Sequence, residues 1–294
     1  MANTKVVVPV LFRHAPGEYE QAGTGFIIAA IGRHALVVTA GHVLEAICHR
    51  TRRPVARTLF NDGSEENRPV IADTRHEIVV VVQSENSTFY AEALKSWGSK
   101  AHDIALLCVE IPDGAGEMFK KQFAVNPDGP KVGDEIYVFG YFEGKDTSSE
   151  LIPPGFECIF KHLISELPAQ FRAKISSQKG YVIKLYPEGT GLVRSRCFVV
   201  DVPFNSGMSG GVLFQVVEGQ LVACGLMSND EGESSADLTG TGRHAVAVNL
   251  APLFFMKLEV EGRPLLTYTK PSIPETKITT LLELAHLGVI EIVR

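Results

Sequence analysis

The sequence predicts an all-β protein built from antiparallel barrels or sandwiches, with a helix near its C-terminus. Short runs rich in Val, Ile, Phe and Tyr recur along the chain, and Gly, Pro, Asn and Asp separate them. The first group suits a pleated surface and the second suits turns. Long amphipathic helices are nearly absent from residues 1–270, which argues against a parallel α/β fold. The candidate strands are 5–12, 24–31, 34–39, 77–83, 103–110, 135–142, 181–187, 196–202, 211–217, 220–228 and 243–250.

Two helices and two loop regions complete the predicted organisation. A short helix follows His42, and a clearer one near the C-terminus starts by Pro274 and ends at Gly288. The apolar positions of the second helix, at i, i+3, i+4 and i+7, are Ile278, Leu281, Leu282 and Ala285. Residues 111–134 are rich in Pro and Gly and indicate a linker, and 143–180 is a second loop-rich stretch. The predicted units are an N-terminal β unit at 1–125, a C-terminal β unit at 126–270 and a helical extension at 271–294.

Composition and charge exclude several classes of function. Of the 294 residues, 45% are hydrophobic and 21% charged, as in globular proteins and unlike disordered ones. The net charge of −6 gives no overall attraction for nucleic acid, and we expect the cluster of Arg50, Arg52 and Arg53 to be a solvated face. The chain has no run of 18 apolar residues and no signal-peptide core, so the sequence predicts no membrane partner.

The cysteines and histidines indicate neither disulfides nor a cofactor. Five widely spaced cysteines form no CxxC pair, and most lie in apolar runs, as small buried hydrophobic residues do. Histidine pairs at metal-binding spacing and the phosphate loop GxxxxGK[ST] are both absent. The glycosylation motif at Asn86 is expected to be only a turn, since no secretory signal precedes it. The sequence therefore predicts a cytoplasmic protein in a reducing compartment, with no cofactor and no metal.

The most informative motif is a serine between glycines, Asn205-Ser206-Gly207-Met208-Ser209-Gly210-Gly211, which a predicted strand follows. Glycines there allow a tight turn and the close approach of a substrate. The amides of Gly207 and Ser209 can then converge on one oxygen, as the stabilisation of an oxyanion requires. Taken alone, the motif fits equally well a Gly-rich hairpin whose serine is only small and polar.

A histidine follows a predicted strand and small residues in Val38-Thr39-Ala40-Gly41-His42-Val43. An unperturbed imidazole titrates near working pH, so His42 can take and return a proton within one catalytic cycle. Taken alone, a histidine at the end of a strand is more often structural than catalytic.

An aspartate precedes a fully apolar run in His102-Asp103-Ile104-Ala105-Leu106-Leu107. A carboxylate at the margin of a core must be paired or hydrogen-bonded. Asp103 can accept a bond from an imidazole N–H and so fix its tautomer. A turn or N-cap aspartate is the alternative.

The three motifs together are far more specific than each alone, because they occur in the order His42, Asp103, Ser209. The sequence resembles the trypsin-like serine peptidases, and most closely the bacterial branch that includes the high-temperature-requirement proteases. The stretches that carry the resemblance are Gly23-Thr24-Gly25-Phe26, Thr39-Ala40-Gly41-His42-Val43, Asp103-Ile104-Ala105-Leu106-Leu107, Val132-Gly133-Asp134-Glu135-Ile136-Tyr137-Val138-Phe139-Gly140 and Gly207-Met208-Ser209-Gly210-Gly211.

The resemblance implies a chymotrypsin-like fold of two six-stranded antiparallel β-barrels with the site in the cleft between them. The first barrel would carry His42 and Asp103, and the second would carry Ser209. It further implies that Ser209 is the nucleophile, His42 the general base and then acid, and Asp103 the orienting carboxylate. The amides of Gly207 and Ser209 would form the oxyanion hole, and an acyl-enzyme would form and be hydrolysed.

The same resemblance implies a substrate channel along the strand Gly225-Leu226-Met227-Ser228. Ser228 falls where the family places a serine beside the catalytic aspartate, although a plain core serine fits the sequence as well. The residues predicted to bind substrate are Pro203, Ser228, Asn229, Asp230 and His244.

Departures from the family pattern concern specificity and activation. Pro203 stands at the base of the specificity pocket where trypsin has an aspartate, so a preference for Arg or Lys is not expected unless Asp230 reaches the pocket. His244 or Arg243 would instead favour substrates with acidic side chains. The alternative is that these residues form an exposed, charged strand end. Met208 replaces the aspartate that trypsin pairs with its cut N-terminus, which argues against a zymogen switch of that kind.

These observations lead to a primary hypothesis and two alternatives. The primary hypothesis is a serine endopeptidase that acts on a protein or peptide substrate, with an additional protein activator as a further partner. The first alternative is a partner-gated or catalytically silent module that keeps the barrels and acts in binding or regulation. The second is an effector protease that cuts one dedicated protein.

Overall fold

A computed structural model describes residues 6–15, 17–51, 56–57, 69–72, 77–83, 87–119, 123–142, 174–190, 193–205, 207–230, 244–260, 263–264, 266–270 and 273–293. The predictions made above for Arg52, Arg53, Asn86, Cys158, Ser206 and Arg243 lie outside the described residues. The described part is mostly strands with a few short helices.

The N-terminal strands form a closed barrel. They are β1 (Val7–Ala15), β2 (Glu18–Ile31), β3 (His34–Ala40), β4 (Ala56–Arg57), β5 (Pro69–Ala72), β6 (Ile78–Gln83), β7 (Thr88–Ser99) and β8 (Ile104–Glu110). Six of them pair in the order β7-β6-β1-β2-β3-β8, and β8 pairs again with β7 to close the ring. Every pairing in the ring is antiparallel. Strands β5 and β4 extend the sheet from β7.

A second barrel follows with the same design. Its strands are β9 (Ala124–Val125), β10 (Glu135–Phe142), β11 (Lys174–Tyr186), β12 (Cys197–Val200), β13 (Val212–Val217), β14 (Gln220–Asp230) and β15 (Ala245–Val248). Six pair antiparallel in the order β13-β10-β11-β12-β15-β14, and β14 returns to β13. Strand β9 adds to β14 in parallel. The predicted fold of two six-stranded antiparallel barrels is therefore confirmed.

The helix predicted after His42 is present as α1 (Gly41–Thr51) and buries its apolar side. Val43, Leu44 and Ile47 are nearly inaccessible to solvent and join the main core. Helix α1 packs against β3 and β8, whose runs of apolar residues are buried on both faces. This packing fixes the start of α1 at the junction of β3 and β8.

The segment predicted as a linker, 111–134, contains a 3-10 helix (Gly116–Phe119) and β9. After β15 come α2 (Ala251–Phe255), two short hairpins and α3 (Leu281–His286). The hairpin strands are β16 (Glu259–Val260), β17 (Arg263–Pro264), β18 (Leu266–Lys270) and β19 (Ile273–Ile278).

The C-terminal helix is present, but the prediction that it starts near Pro274 is wrong. Residues Ile273–Ile278 form β19, in which Ile278 pairs with Leu266 and both are buried. The helix starts only after Thr280, whose hydroxyl accepts a hydrogen bond from the Glu283 amide in a capping box. The apolar spacing that predicted a longer helix joins one strand position, Ile278, to three helical ones, Leu281, Leu282 and Ala285.

The four described cysteines, Cys48, Cys108, Cys197 and Cys224, are buried thiols that form no disulfide with one another. Burial raises the pKa of Cys108 to about 12 and the pKa of Cys48 to about 11. Protonated thiols in such surroundings are poor nucleophiles. These residues therefore act as small core residues, as the sequence predicts.

Candidate active site

The three residues singled out by the sequence motifs meet at the junction of the two barrels. His42 is the second residue of α1, directly after β3, and Asp103 directly precedes β8. Because β3 and β8 pair with Ala40 opposite Ile104, the end of one strand lies beside the start of the other. Ser209 comes from the second barrel, in the loop between β12 and β13.

A carboxylate and an imidazole form the first half of the arrangement. The Nδ1 atom of His42 lies 3.0 Å from both carboxylate oxygens of Asp103, and the backbone amide of His42 donates to Oδ1 at 2.8 Å. Asp103 is only 6% exposed. A buried carboxylate that accepts a bond from Nδ1–H leaves Nε2 as an acceptor.

The second half is the contact between that imidazole and a hydroxyl. Nε2 of His42 lies 2.7 Å from Oγ of Ser209, within the range of an O–H donor bond to nitrogen. Ser209 is 9% exposed, whereas the His42 side chain is 38% exposed, so the imidazole is accessible from solvent. Ser228, on β14, donates its hydroxyl to Oδ2 of Asp103. Both barrels thus hold the carboxylate.

The backbone of Asp103 adopts an unusual conformation. Its φ is +47°, in the left-handed region that residues other than glycine seldom adopt. Aspartate and asparagine tolerate this region better than most side chains. The turn at residues 99–103 is held from the second barrel, because the Arg194 amide donates to the Ala101 carbonyl at 2.8 Å.

Glycines allow the loop around Ser209 to approach the first barrel. Gly207 and Gly210 have φ values of +94° and +85°. A Cβ at Gly210 would overlap the carbonyl oxygen of Thr24 and the hydroxyl of Thr39. The Gly210 amide donates to Met227 at 2.8 Å, which ties the loop to β14. A side chain at Gly210 would therefore displace the serine loop from the seam.

Thr24 holds the serine loop in place by hydrogen bonds. The sequence motifs included this residue but assigned it no role. Its amide donates to the Ser209 carbonyl at 2.7 Å, and its hydroxyl donates to the Gly207 carbonyl at 2.9 Å. The same hydroxyl accepts from the Tyr141 amide on β10 at 2.7 Å. The side chain of Gln21 donates nearby, to the Tyr141 carbonyl at 3.0 Å. Thr24 lies in the quoted stretch Gly23-Thr24-Gly25-Phe26, but only the folded chain shows these long-range partners.

Met208, next to Ser209, is packed in the core of the second barrel. It is fully buried in a cluster that includes Ile136, Val138 and Leu213. Gly140 faces it so closely that a Cβ there would lie 3.2 Å from the Met208 Cα. The serine loop is thus anchored by apolar packing at the position where trypsin has an aspartate.

The residues predicted to bind substrate are arranged along the ends of β14 and β15. Asn229 and Asp230 pair with Val246 and Ala245, and His244 immediately precedes β15. Pro203 is exposed in the loop before Ser209. Among the described hydrogen bonds, only Ser228 of the predicted substrate-binding set connects directly to the three central residues. A role for the other four in binding stays a prediction.

The described residues contain no group of three or more His, Cys, Asp and Glu side chains arranged to hold a metal ion. Within the same part of the chain, every helix is too short or too polar to cross a bilayer.

Two closed antiparallel barrels with this hydrogen-bonded series at their junction define the chymotrypsin-like class of fold. Residues 23–223 match the family model described as the trypsin-like peptidase domain. This match covers more than half of the chain, and the chain belongs to the trypsin-like peptidase family. All three central residues lie within the matched range.

Comparison with curated proteins finds no match. Among solved structures, the chain is similar to the Rv3671c protease from M. tuberculosis in its active form, with a TM-score of 0.44 and 16% sequence identity. The similarity covers 84% of this chain and 77% of that one.

Proposed function

We propose that this protein is a serine endopeptidase that hydrolyses peptide bonds through an acyl-enzyme, with His42, Asp103 and Ser209 as its catalytic triad. The observation that carries the proposal is the continuous series of hydrogen bonds from the Ser209 hydroxyl through the His42 imidazole to the Asp103 carboxylate. Its three residue types, order and spacing fit a nucleophile, a base and an orienting group.

In the proposed reaction, Oγ of Ser209 attacks the carbonyl carbon of a peptide bond and transfers its proton to Nε2 of His42. Asp103 stabilises the resulting imidazolium through Nδ1–H, and the His42 amide and Ser228 hydroxyl hold the carboxylate in place. His42 then protonates the leaving amine. Water, activated by the same imidazole, releases the acyl group from Ser209.

The amides of Gly207 and Ser209 are proposed to stabilise the oxyanion of each tetrahedral intermediate. Support comes from the conformation of the loop, whose carbonyls at both residues are already bonded to Thr24. A loop fixed in this way requires little reorganisation when charge develops on the substrate oxygen.

The packing of Met208 favours a site that is assembled without a cut N-terminus. Because Met208 is buried among apolar side chains, the loop has an anchor that needs no ionic partner. We therefore favour the constitutive peptidase over the partner-gated module.

The finer parts of the proposal concern substrate and setting. The end of β14, with Ser228, Asn229 and Asp230, is proposed to line the substrate channel, and Pro203 and His244 to border the specificity pocket. The substrate is a protein or peptide. The relation to the high-temperature-requirement branch, a protein activator and the cytoplasmic location all stay predictions.

A fluorophosphonate probe and a cleavage assay test the proposal. We expect the probe to label Ser209 in the isolated protein, and Ser209→Ala to abolish labelling and lower peptide turnover by about 10⁴–10⁶-fold with an unchanged melting temperature. Ser195→Ala removes a hydroxyl that makes no hydrogen bond to the triad; it is the matched control and should keep both activities. Equal cleavage by Ser209→Ala and the parent would refute the proposal. Labelling that requires an added protein would favour the partner-gated alternative.

A further inference from the structure

A cavity of about 350 Å³ lies on the seam between the barrels, and none of the three triad residues lines it. Ser99 and His102, in the turn between β7 and β8, line it from the first barrel. Arg196 and Asn249 line it from the second barrel, and Phe255 contributes from α2. A volume of this size lies at the lower end of the range for small-ligand sites, which is about 300–1,000 Å³.

Two residues that line this cavity each hold a buried polar atom with no hydrogen-bond partner among the described residues. They are Oγ of Ser99, a residue that is only 2% exposed, and Nδ1 of His102. Burial lowers the pKa of His102, so its imidazole is neutral near pH 7 and bonds as one donor and one acceptor. Buried polar groups in native proteins are seldom left unpaired. Both atoms are out of contact with solvent, so they make the turn beside the cavity polar but are not themselves contacts for a ligand.

The rim of the cavity carries one charge of each sign. Arg196 is exposed, and the described residues include no ion-pair partner for its guanidinium. Asp128 also lines the cavity and is exposed, but these two side chains do not pair with each other. A guanidinium recognises a carboxylate, and a carboxylate accepts from an amide N–H. The rim therefore offers one partner for an anionic group of a ligand and one for an N–H donor.

The remaining wall is apolar. Pro252, Phe255 and Met256 come from α2 and the residue after it, and the Phe255 ring is 66% exposed. A large exposed aromatic side chain beside a cavity is a common anchor for a partner's apolar group.

We propose that this cavity binds the C-terminal residue of a peptide, with its free carboxylate at Arg196, its amide N–H at Asp128 and a large apolar side chain against Phe255. Such a residue joins one anion, one N–H donor and one apolar group within a few bonds, which matches the three kinds of lining. The proposal goes beyond the peptidase function and does not depend on it.

The test uses the full chain with ¹³C-methyl-labelled methionine and two probes, N-acetyl-L-phenylalanine and N-acetyl-L-phenylalaninamide. Met256 lines the cavity, whereas Met208 and Met227 adjoin Ser209 and Ser228. We expect the acid to shift the Met256 methyl resonance saturably while the Met208 and Met227 resonances stay in place. The amide, which lacks the charge, should bind about fivefold more weakly.

Two variants locate the ligand's groups. Arg196→Gln should lower the affinity for the acid about fivefold, to that of the amide, and Asp128→Ala, which removes the acceptor of the N–H, should weaken both probes. Arg194→Gln, in the same segment but outside the cavity lining, is the matched control and should bind both as the parent does. Equal affinity for acid and amide, no shift of Met256, or shifts confined to Met208 and Met227 would each overturn the proposal. Because the readout is a methyl shift, a failure to label Ser209 leaves this test unaffected.

Discussion

The hydroxyl of Thr24 donates a hydrogen bond to the carbonyl of Gly207 at 2.9 Å, across the seam between the barrels. The same oxygen accepts from the amide of Tyr141 at 2.7 Å, and the residue is fully buried. One side chain of the first barrel thus joins the serine loop to β10 of the second. The position of Ser209 relative to His42 depends on this connection.

Replacing this hydroxyl by a methyl group should damage both stability and turnover. Thr24→Val leaves the Gly207 carbonyl and the Tyr141 amide without their partner, and we expect a loss of about 1–3 kcal/mol in the free energy of unfolding. Urea denaturation measures the loss, and kcat with a peptide substrate measures the displacement of the loop. Thr24→Ser retains the hydroxyl and should recover most of both. A Thr24→Val protein with parental stability would show that the hydroxyl is dispensable.

Asp103→Asn should remove activity while keeping the fold. Asparagine keeps the shape of the side chain and tolerates the left-handed backbone at φ +47°. The amide cannot stabilise the His42 imidazolium, so we expect kcat to fall by about 10⁴-fold. Circular dichroism and the melting temperature verify the fold. Asp113→Asn, at an exposed carboxylate that pairs with Arg33, is the control and should retain parental kcat. If Asp103→Asn kept the kcat of the parent, Asp103 would not be the residue that stabilises the His42 imidazolium.

The buried position of Met208 should not tolerate a charge. Met208→Asp places a carboxylate among apolar side chains of the second barrel, and we expect a loss of about 3 kcal/mol or more in stability. Met208→Leu preserves volume and polarity, so its cost should be below about 1.5 kcal/mol. Chemical denaturation compares the two, and the fluorophosphonate probe reports whether Ser209 keeps its reactivity. If Met208→Asp were as stable as Met208→Leu, an ionic partner for that position would have to exist.

The partly buried imidazole of His102 should contribute a pH-dependent component to stability. Burial lowers the pKa of His102 below its ordinary value of 6.5, so the unfolded chain takes up a proton at a pH where the folded chain does not. This contribution is therefore fully present above about pH 6.5 and is lost as the pH falls through the lowered pKa of the folded state.

In thermal denaturation at about pH 7.5 and about pH 5, His102→Gln should show a smaller difference in Tm than the parent, because the substituted side chain does not titrate. His286→Gln, at an exposed position in α3, is the control and should keep the parental difference. An unchanged difference in His102→Gln would mean that His102 does not couple protonation to folding.

The sequence predicted the positions of the barrel strands well where the strands are continuously apolar. It missed strand residues where polar side chains interrupt the apolar run. Every strand of the two rings overlaps a candidate strand except β7, which contains Glu92, Lys95 and Gly98 among its residues. Strand β11 starts at Lys174, so the prediction of a loop-rich stretch is wrong for residues 174–180. Its outward positions are partly exposed, while Trp97 near its end is fully buried. Residues 273–278 were assigned to a helix because apolar spacing alone does not distinguish a strand from the helix that follows it.

At the site, the sequence identified residues by their chemistry but not by their distant partners. His42, Asp103 and Ser209 stand in distinctive local motifs, and the fold brings them within hydrogen-bonding distance. Thr24 makes its bonds to backbone groups 117 and 183 residues away, at Tyr141 and Gly207. Nothing in the local sequence specifies such contacts, since any backbone group could serve as the partner. The cavity at Ser99 and His102 was missed for the same reason.

The placement of the serine loop has a consequence for the chain during its synthesis. The part of the chain that is synthesised first contains Thr24, His42 and Asp103, whereas Ser209, the proposed nucleophile, is synthesised later. The later half, in turn, anchors its loop through Met208 and the Gly210 amide but lacks the bonds from Thr24 when it is alone. Under the proposed function, a chain that lacks either half would therefore lack an assembled triad, and cleavage would require both barrels to have folded.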